Sequence, residues 1–360
     1  MAKPLSVGLI GVGPIAHAHL AAYLENPGQV RLTAVCDPNP SAAAAFAEQA
    51  GVAAVYSDFH EMLRRADIDA VDICTSHDLH PSQAIAAAEA GKHLLCETAM
   101  AHTLPGCQSM IDAADAAGVT LMIAQNLRFS RTAVAVKQLI DGGGLGEIQA
   151  VRAHASFGAG ASNPRGHWAN DGRRAGGGIL MTHSIHHVDL LRYFLGNVKR
   201  VVAACRSLQP EMVNGAEDLV AATVEFESGV IGAVFSNQST FLVPDALSCA
   251  IFGSEGTLLS TPPLAPEQGL AKLGTAIVAN AMARDPGTGR WHPRFEPVST
   301  LDVNLPSKNP FVNEILHFAE CCRTGQQPIT SGRDNIETIR LVTAIYESSH
   351  TGGWVDLHTA

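Results

Sequence analysis

The sequence predicts an α/β protein of two domains, the first built on a parallel sheet and the second on a large, mostly antiparallel one with flanking helices. Three observations carry this expectation. The chain has 360 residues, more than one ordinary core accommodates. Residues 1–125 alternate short apolar runs with alanine-rich helical stretches, whereas strand-like runs dominate beyond them. Hydrophobic residues make up 46% and charged residues 16%, which suits a globular chain and excludes disorder.

In order, the apolar runs of the first part are Leu5–Ile10, Val30–Cys36, Ala70–Cys74, His93–Cys96 and Thr120–Ile123. Helical stretches lie between them at Ile15–Glu25, Ser41–Ala50, Phe59–Arg64, Ser82–Ala90 and Leu104–Ala117, with Gly91 and Gly118 placed as helix stops. Alternation with short connections implies right-handed βαβ crossovers. The strands are continuously apolar, as expected when both faces of a sheet are covered. After helical Arg131–Asp141 and the glycine cluster 142–146 come strand-like Ile148–Phe157, Arg200–Leu208, Leu219–Phe226, Val230–Asn237 and Ala246–Phe252. Residues 225–230 read as a hairpin turn, which predicts an antiparallel sheet. Residues 261–300 are Pro-rich, with a helical core at Leu270–Ala283 and an irregular tail, and read as an insertion or an oligomer contact. Helices at Phe311–Arg323 and Arg333–Ser348 close the chain, and are expected to pack back across the domain junction.

A net charge of −10 argues against a phosphate-backbone binder. No apolar run reaches the ~18–20 residues of a membrane span, and the N-terminus carries no recognisable signal peptide. The eight cysteines are scattered without a CxxC pair, and Cys36, Cys74 and Cys96 sit in expected strands. A reducing cytoplasm is the expected location.

Gly11-Val12-Gly13-Pro14-Ile15-Ala16 follows an apolar strand and opens a helix. Gly11 permits the tight turn, Gly13 lets the backbone approach a pyrophosphate, and Ala16 allows close helix–strand packing. Pro14 and Ile15 begin the helix whose free N–H groups and dipole favour a phosphate. GxGxxA alone is weak; its weight comes from the strand before, the helix after, and Asp37 at the end of the second strand. That carboxylate can accept from both ribose hydroxyls and repel a 2′-phosphate. Pro38-Asn39-Pro40-Ser41 brings no Arg or Lys, so NAD is expected rather than NADP.

Further segments, together with that loop and Asp37, resemble the glucose–fructose oxidoreductase/inositol dehydrogenase (Gfo/Idh/MocA) family. They are Thr75-Ser76-His77-Asp78-Leu79-His80, Gly91 to Glu97, and Gly176-Gly177-Gly178-Ile179-Leu180-Met181 through His186 and Asp189. The resemblance spans nearly the whole chain. It implies a Rossmann NAD-binding domain at 1–125 and a substrate-binding and oligomerisation domain at 126–360 with a large open sheet. It also implies active-site residues at their junction and a homo-dimer or homo-tetramer through the outer sheet face. On this resemblance, Thr75, Ser76, His77, His80, Glu97 and Asn126 join Gly11, Gly13, Pro14, Ile15 and Asp37 as candidate coenzyme contacts. Arg128 matches a recurrent family arginine near the pocket, or ties the domains together.

The departures are specific. Glu97-Thr98-Ala99 stands where the family has Glu-Lys-Pro, so Thr98 replaces its lysine. Thr182 replaces an aspartate four residues before His186, and His77 an asparagine. In Thr182 to Asp189, expected to be helical, His183 lies beside His186 and His187, and Thr182 beside His186. His186 is the first candidate for general acid/base, because imidazole titrates near operating pH. His183 could orient it or pass the proton on, and His187 reads as structural. HxxHH is not a common zinc spacing, so no metal is expected. Asp189 reads as a helix anchor. Upstream, Arg165, His167, Trp168 and Arg173 are candidate substrate contacts, since guanidinium forks bind carboxylates or hydroxyls and an indole offers a flat face.

Three functions compete. The first is an NAD-dependent oxidoreductase passing hydride between nicotinamide and a hydroxyl-bearing carbon of a sugar, polyol or cyclic hydroxylated compound, with His186 as acid/base. The second is a redox-neutral hydrolase or lyase that oxidises its substrate transiently. The third is a non-catalytic NAD-binding sensor.

Overall fold

The computed structural model describes residues 3–157, 163–240, 247–260, 276–297 and 303–357. The chain divides into two compact units. The first comprises Met1–Asn126, Arg173–Gly176 and Asn309–Ile339; the second comprises Leu127–Gly172, Gly177–Lys308 and Arg340–Ala360.

In the first unit six parallel strands, β1 (Leu5–Ile10), β2 (Val30–Cys36), β3 (Val55–Tyr56), β4 (Ala70–Ile73), β5 (His93–Cys96) and β6 (Leu121–Ile123), stand in the order β3-β2-β1-β4-β5-β6. This is the doubly wound Rossmann order, whose direction of winding reverses between β1 and β4. Helices α1 (Pro14–Glu25), α2 (Pro40–Ala50), α3 (Phe59–Leu63), α4 (His80–Glu89) and α5 (Leu104–Ala117) are the crossovers. Every β1 residue is buried, which explains its unbroken apolar run. The Asn39 side chain caps α2 by accepting from Ser41 and Ala42 N–H, and Thr103 caps α5 through Gly106 N–H. Gly118 ends α5 in the left-handed region at φ +65°, as a helix-stop glycine does. Helix α9 (Pro310–Thr324) packs on α1 and β2 within this unit.

The second unit holds α6 (Arg131–Asp141), β7 (Ile148–Ser156), α8 (Ile185–Leu195), β8 (Val198–Arg206), β9 (Leu219–Phe226), β10 (Ile231–Asn237), β11 (Leu247–Gly253), β12 (Thr257–Ser260), β13 (Ala276–Arg284), β14 (Trp291–Pro297) and β15 (Val355–Asp356). Short α7 (Gly172–Ala175) and long α10 (Gly332–Thr351) each have residues in both units. The sheet has nine strands in the order β14-β13-β12-β11-β7-β10-β9-β8-β15. Its pairs are antiparallel except β7 with β10. The β9–β10 hairpin turns where expected, with Gly229 at φ +89°.

Two expectations are corrected. Residues 276–283, read from their alanines as the end of a helix, form β13, and 291–297 form β14 rather than an irregular tail; residues 270–275 lie outside the described residues. Pairing with neighbouring strands outweighs alanine's intrinsic preference. Within the helix carrying the candidate histidines, Leu180–Ser184 is a π-helical turn that runs into α8. No helix among the described residues is long and apolar enough to cross a membrane.

Candidate active site

The coenzyme candidates gather at the C-terminal ends of β1 and β4, where an open α/β sheet binds ligands. Gly11 has φ +90°, and a Cβ there would strike Cys74 O at 2.8 Å and the Thr75 methyl at 2.7 Å, so only glycine fits. At Gly13 a Cβ would meet nothing within 4 Å, so the space above the loop is open. Gly13 caps α1 with Pro14 at the first helical position, which leaves the N-terminal amides of the helix facing that space. Half-buried Ile15 follows in the first turn. Asp37 reaches the same loop: its Oδ2 accepts from Val12 N–H at 3.0 Å and its Oδ1 from Asn39 N–H at 2.8 Å. Each oxygen thereby accepts one backbone N–H, and the group stays partly exposed. Asn126 offers a buried amide oxygen with no partner. An open glycine cradle, an oriented carboxylate and an orphaned amide oxygen fit a dinucleotide. Asp37→Ala is expected to weaken NAD+ binding by about 10- to 100-fold, the range of one or two charge-assisted hydrogen bonds. Titration of protein fluorescence with NAD+ and NADP+ checks this; NADP+ affinity should not fall with it.

The other residues of the first unit are more deeply engaged. The Thr75 hydroxyl donates to Gln83 Oε1 at 2.6 Å, and Ser76 Oγ accepts from Arg174 at 3.1 Å. Arg174 also pairs with Asp78 at 3.2 Å, while Arg173 beside it is exposed. His77 is buried and donates from Nδ1 to Ala175 O at 2.8 Å; burial, with His80 nearby, pushes its pKa down to about 3, so it is neutral. His80 is fully buried, and its nitrogens face Ala99 O at 2.8 Å and Thr75 O at 3.1 Å. Burial lowers its pKa, so the neutral ring donates its single proton to one of these two carbonyls and ties two loops together. Thr98 donates its N–H to Glu97 Oε2 at 2.8 Å, and the Thr98–Ala99 bond is cis.

Glu97 ends a buried network that the sequence did not reveal. His19 on α1 donates from Nδ1 to Asp72 Oδ2 at 2.8 Å and from Nε2 to Glu97 Oε1 at 3.0 Å. Tyr23 OH donates to Asp72 at 2.8 Å. Burial alone would lower the His19 pKa, but Asp72 raises it well above its usual value, so the ring is an imidazolium between two carboxylates. Donor atoms of His19, Asp72 and Cys74 lie within 4.8 Å of one another. The imidazolium has no lone pair for a cation, and burial pushes the Cys74 thiol far up, keeping it protonated. An ionic network accounts for the cluster.

In the second unit the triple-glycine run is explained by what it packs against. A Cβ at Gly177 would strike the Tyr346 hydroxyl, and one at Gly178 the Glu217 backbone. The buried Glu217 carboxylate accepts from Gly178 N–H at 2.6 Å, Leu180 N–H at 2.9 Å and Tyr346 OH at 3.2 Å. It caps the start of the helix that carries Thr182, His183 and His186. The Thr182 hydroxyl bonds Gly178 O and His183 Nδ1, each at 2.8 Å. Burial pushes the pKa of His183 down to about 4 and that of His187 to about 3, with His186 contributing to both. The buried His187 Nδ1 has no partner. His167 caps the 3-10 turn Trp168–Asn170 by accepting from Ala169 N–H at 3.2 Å, and its ring lies 5.7 Å from that of Trp168. Arg165 is exposed. Arg128 is buried, its fork bonds Asp189 at 2.6 and 2.7 Å, and it lies over the Tyr193 ring. It anchors α8.

Burial raises the Glu217 pKa to about 7 from its usual 4.5. The folded state then holds that proton more tightly than the unfolded chain. The stability contributed by Glu217 is greatest below pH 4.5 and falls by about 3 kcal/mol as pH rises to about 7. Urea unfolding of Glu217→Gln across this window should lack that slope.

Residues 5–125 match the family model described as "Oxidoreductase family, NAD-binding Rossmann fold", and residues 137–357 its "C-terminal alpha/beta domain". The chain belongs to the Gfo/Idh/MocA oxidoreductase family. Among its relatives, D-apiose dehydrogenase of Paraburkholderia graminis is 30% identical over 99% of this chain and 90% of its own. A D-xylose 1-dehydrogenase (NADP(+)) of Haloferax volcanii is 26% identical over 98% and 97%. The solved structure of a levoglucosan dehydrogenase with NADH and L-sorbose superposes with TM-score 0.82 at 26% identity, covering 99% of both chains. Gfo/Idh/MocA proteins are NAD(P)-dependent oxidoreductases, and this chain carries both of their domains.

Proposed function

We propose that the protein is an NAD-dependent dehydrogenase of a sugar, polyol or cyclic hydroxylated compound, with residues 1–125 holding the coenzyme and 126–360 the substrate. The observation that carries this is the cradle of Gly11, Gly13 and Asp37, which offers a fixed carboxylate to ribose hydroxyls, followed by Pro38-Asn39-Pro40-Ser41 with no Arg or Lys for a 2′-phosphate. The α1 amides hold the pyrophosphate, and Asn126 meets the coenzyme through its unpartnered oxygen. Bound NAD+ supplies the hydride acceptor. An imidazole nitrogen of His186 takes the hydroxyl proton, and Thr182 and His183 shape the ground beside it. Arg165, His167, Trp168 and Arg173 supply substrate contacts. Eight cysteines without a disulfide fit a reducing cytoplasm.

A second copy of the chain is proposed to cover the outer sheet face. Ile231 and Phe252, 55% and 40% exposed, flank Ala150 across three strands, with Phe235 further along β10. Single exposed apolar residues need no explanation, but a row across adjacent strands does.

The test is incubation with NAD+ and a panel containing D-apiose, D-xylose, levoglucosan and myo-inositol, following NADH absorbance together with substrate loss. One NADH per substrate consumed supports the proposal. Substrate loss without net NADH would establish the redox-neutral cycle, which Thr98 and Thr182 in place of the family's lysine and aspartate favour. Coenzyme binding without turnover of any hydroxylated compound would leave the sensor.

A further inference from the structure

We propose that Thr182 fixes the tautomer of His183, so that this ring carries its proton on Nδ1 and presents the Nε2 lone pair to a substrate hydroxyl beside the carbon being oxidised. The contact with substrate rests on the dehydrogenase reading; the tautomer does not. Thr182 Oγ1 lies 2.8 Å from Gly178 O and 2.8 Å from His183 Nδ1. A hydroxyl has one proton to donate and two lone pairs to accept with. A carbonyl oxygen only accepts, so the hydroxyl proton goes to Gly178, as serine and threonine commonly do to the carbonyl four residues back. The bond to His183 is then made by the ring, with Nδ1–H donating. In the opposite tautomer the hydroxyl would donate to Nδ1 and set two acceptor oxygens, its own and that of Gly178, against each other at 2.8 Å. One hydrogen bond would be lost and a repulsion gained.

The surroundings keep the ring uncharged. The Phe157 ring, just past β7, lies 5.0 Å from that of His183. The titratable groups beside it are His186 on its own helix and His167 from the 3-10 turn, and with burial both oppose protonation. A neutral imidazole of low basicity orients a hydroxyl by accepting its hydrogen bond without removing the proton, which leaves that step to His186. The π-helical turn over Leu180–Ser184 belongs to the same device, since π turns often mark functional positions. Thr182 is thus a positioning residue, and His183 a specificity-determining one that favours a hydroxyl over an ether or a deoxy carbon at that point of the substrate.

Nitrogen-15 NMR of the histidine-labelled full chain, without substrate, reads the tautomer directly. The wild type and Thr182→Ser are expected to show a protonated Nδ1 and an unprotonated Nε2 at His183, and Thr182→Val to move the proton towards Nε2. Kinetics follow on whichever panel compound is turned over fastest. Thr182→Val and His183→Ala should each lower kcat/KM by roughly tenfold or more, with NAD+ affinity unchanged and Thr182→Ser restoring the rate. In His183→Ala, discrimination against a deoxy analogue should collapse. A protonated Nε2 in the wild type, a tautomer indifferent to Thr182→Val, or full activity in His183→Ala overturns the proposal. Absence of any turnover removes the dehydrogenase reading and the substrate contact with it, while the tautomer is still decided by NMR.

Discussion

His186→Ala is expected to lower kcat by roughly 10²- to 10⁴-fold, the usual contribution of a general base, while the dissociation constant for NAD+ stays within about twofold. The candidate coenzyme cradle lies in the first unit, whereas His186 stands on the first turn of α8, in the second. No other side chain in this helix start is suited to take its place. His183 and His187 are held neutral to low pH by burial, and Thr182 is already committed to Gly178 and His183. The measurement is steady-state kinetics on the best panel substrate, paired with a coenzyme titration. A variant that keeps its rate would move proton handling to another residue. One that loses coenzyme binding as well would mark His186 as structural.

His19→Leu should destabilise the protein by about 3–5 kcal/mol, because removing one partner of a buried ionic network leaves uncompensated charge behind. Asp72 and Glu97 would both lose their counter-ion inside the first unit, and Glu314, already buried with both carboxylate oxygens unpartnered, lies near the same ring. The pH dependence has a definite sign. The folded pKa of His19 is raised above its usual 6.5, so its contribution is present in full below pH 6.5 and is lost as pH rises through the folded value. Urea unfolding of the wild type and the variant should therefore differ most at pH 6.5 and below, and converge in alkaline solution. The same substitution frees Glu97, which positions the Thr98 amide. A variant as stable as the wild type at pH 6 would show that the network contributes nothing net.

What could be read in the sequence was local. Gly11, Gly13 and Asp37 announce themselves because a tight turn, an open approach and a carboxylate at a strand end each demand a particular residue at a particular spacing. The β9–β10 hairpin was legible for the same reason, with Gly229 supplying its positive φ. Partners distant in sequence were not legible. Nothing around Glu217 says that its side chain caps a helix start 37 residues earlier at Leu180, although three consecutive glycines do signal that something packs hard against them. His19 looked like one more residue of an alanine-rich helix; a polar residue on the buried face of α1 was the available signal. Arg128 read equally as a pocket residue or a tie between domains, and nothing nearby in sequence pointed to its fork meeting Asp189, 61 positions on. The alanines of β13 misled because helix preference is weaker than the pairing offered by the neighbouring strands.

Isothermal titration of the folded, full-length chain with NAD+ and with NADP+ bears most directly on the whole account. Saturable heat with NAD+, at one site per chain and with at least about tenfold weaker binding of NADP+, is the expected result. A folded sample that takes up neither coenzyme, or that prefers the 2′-phosphorylated one, would contradict it.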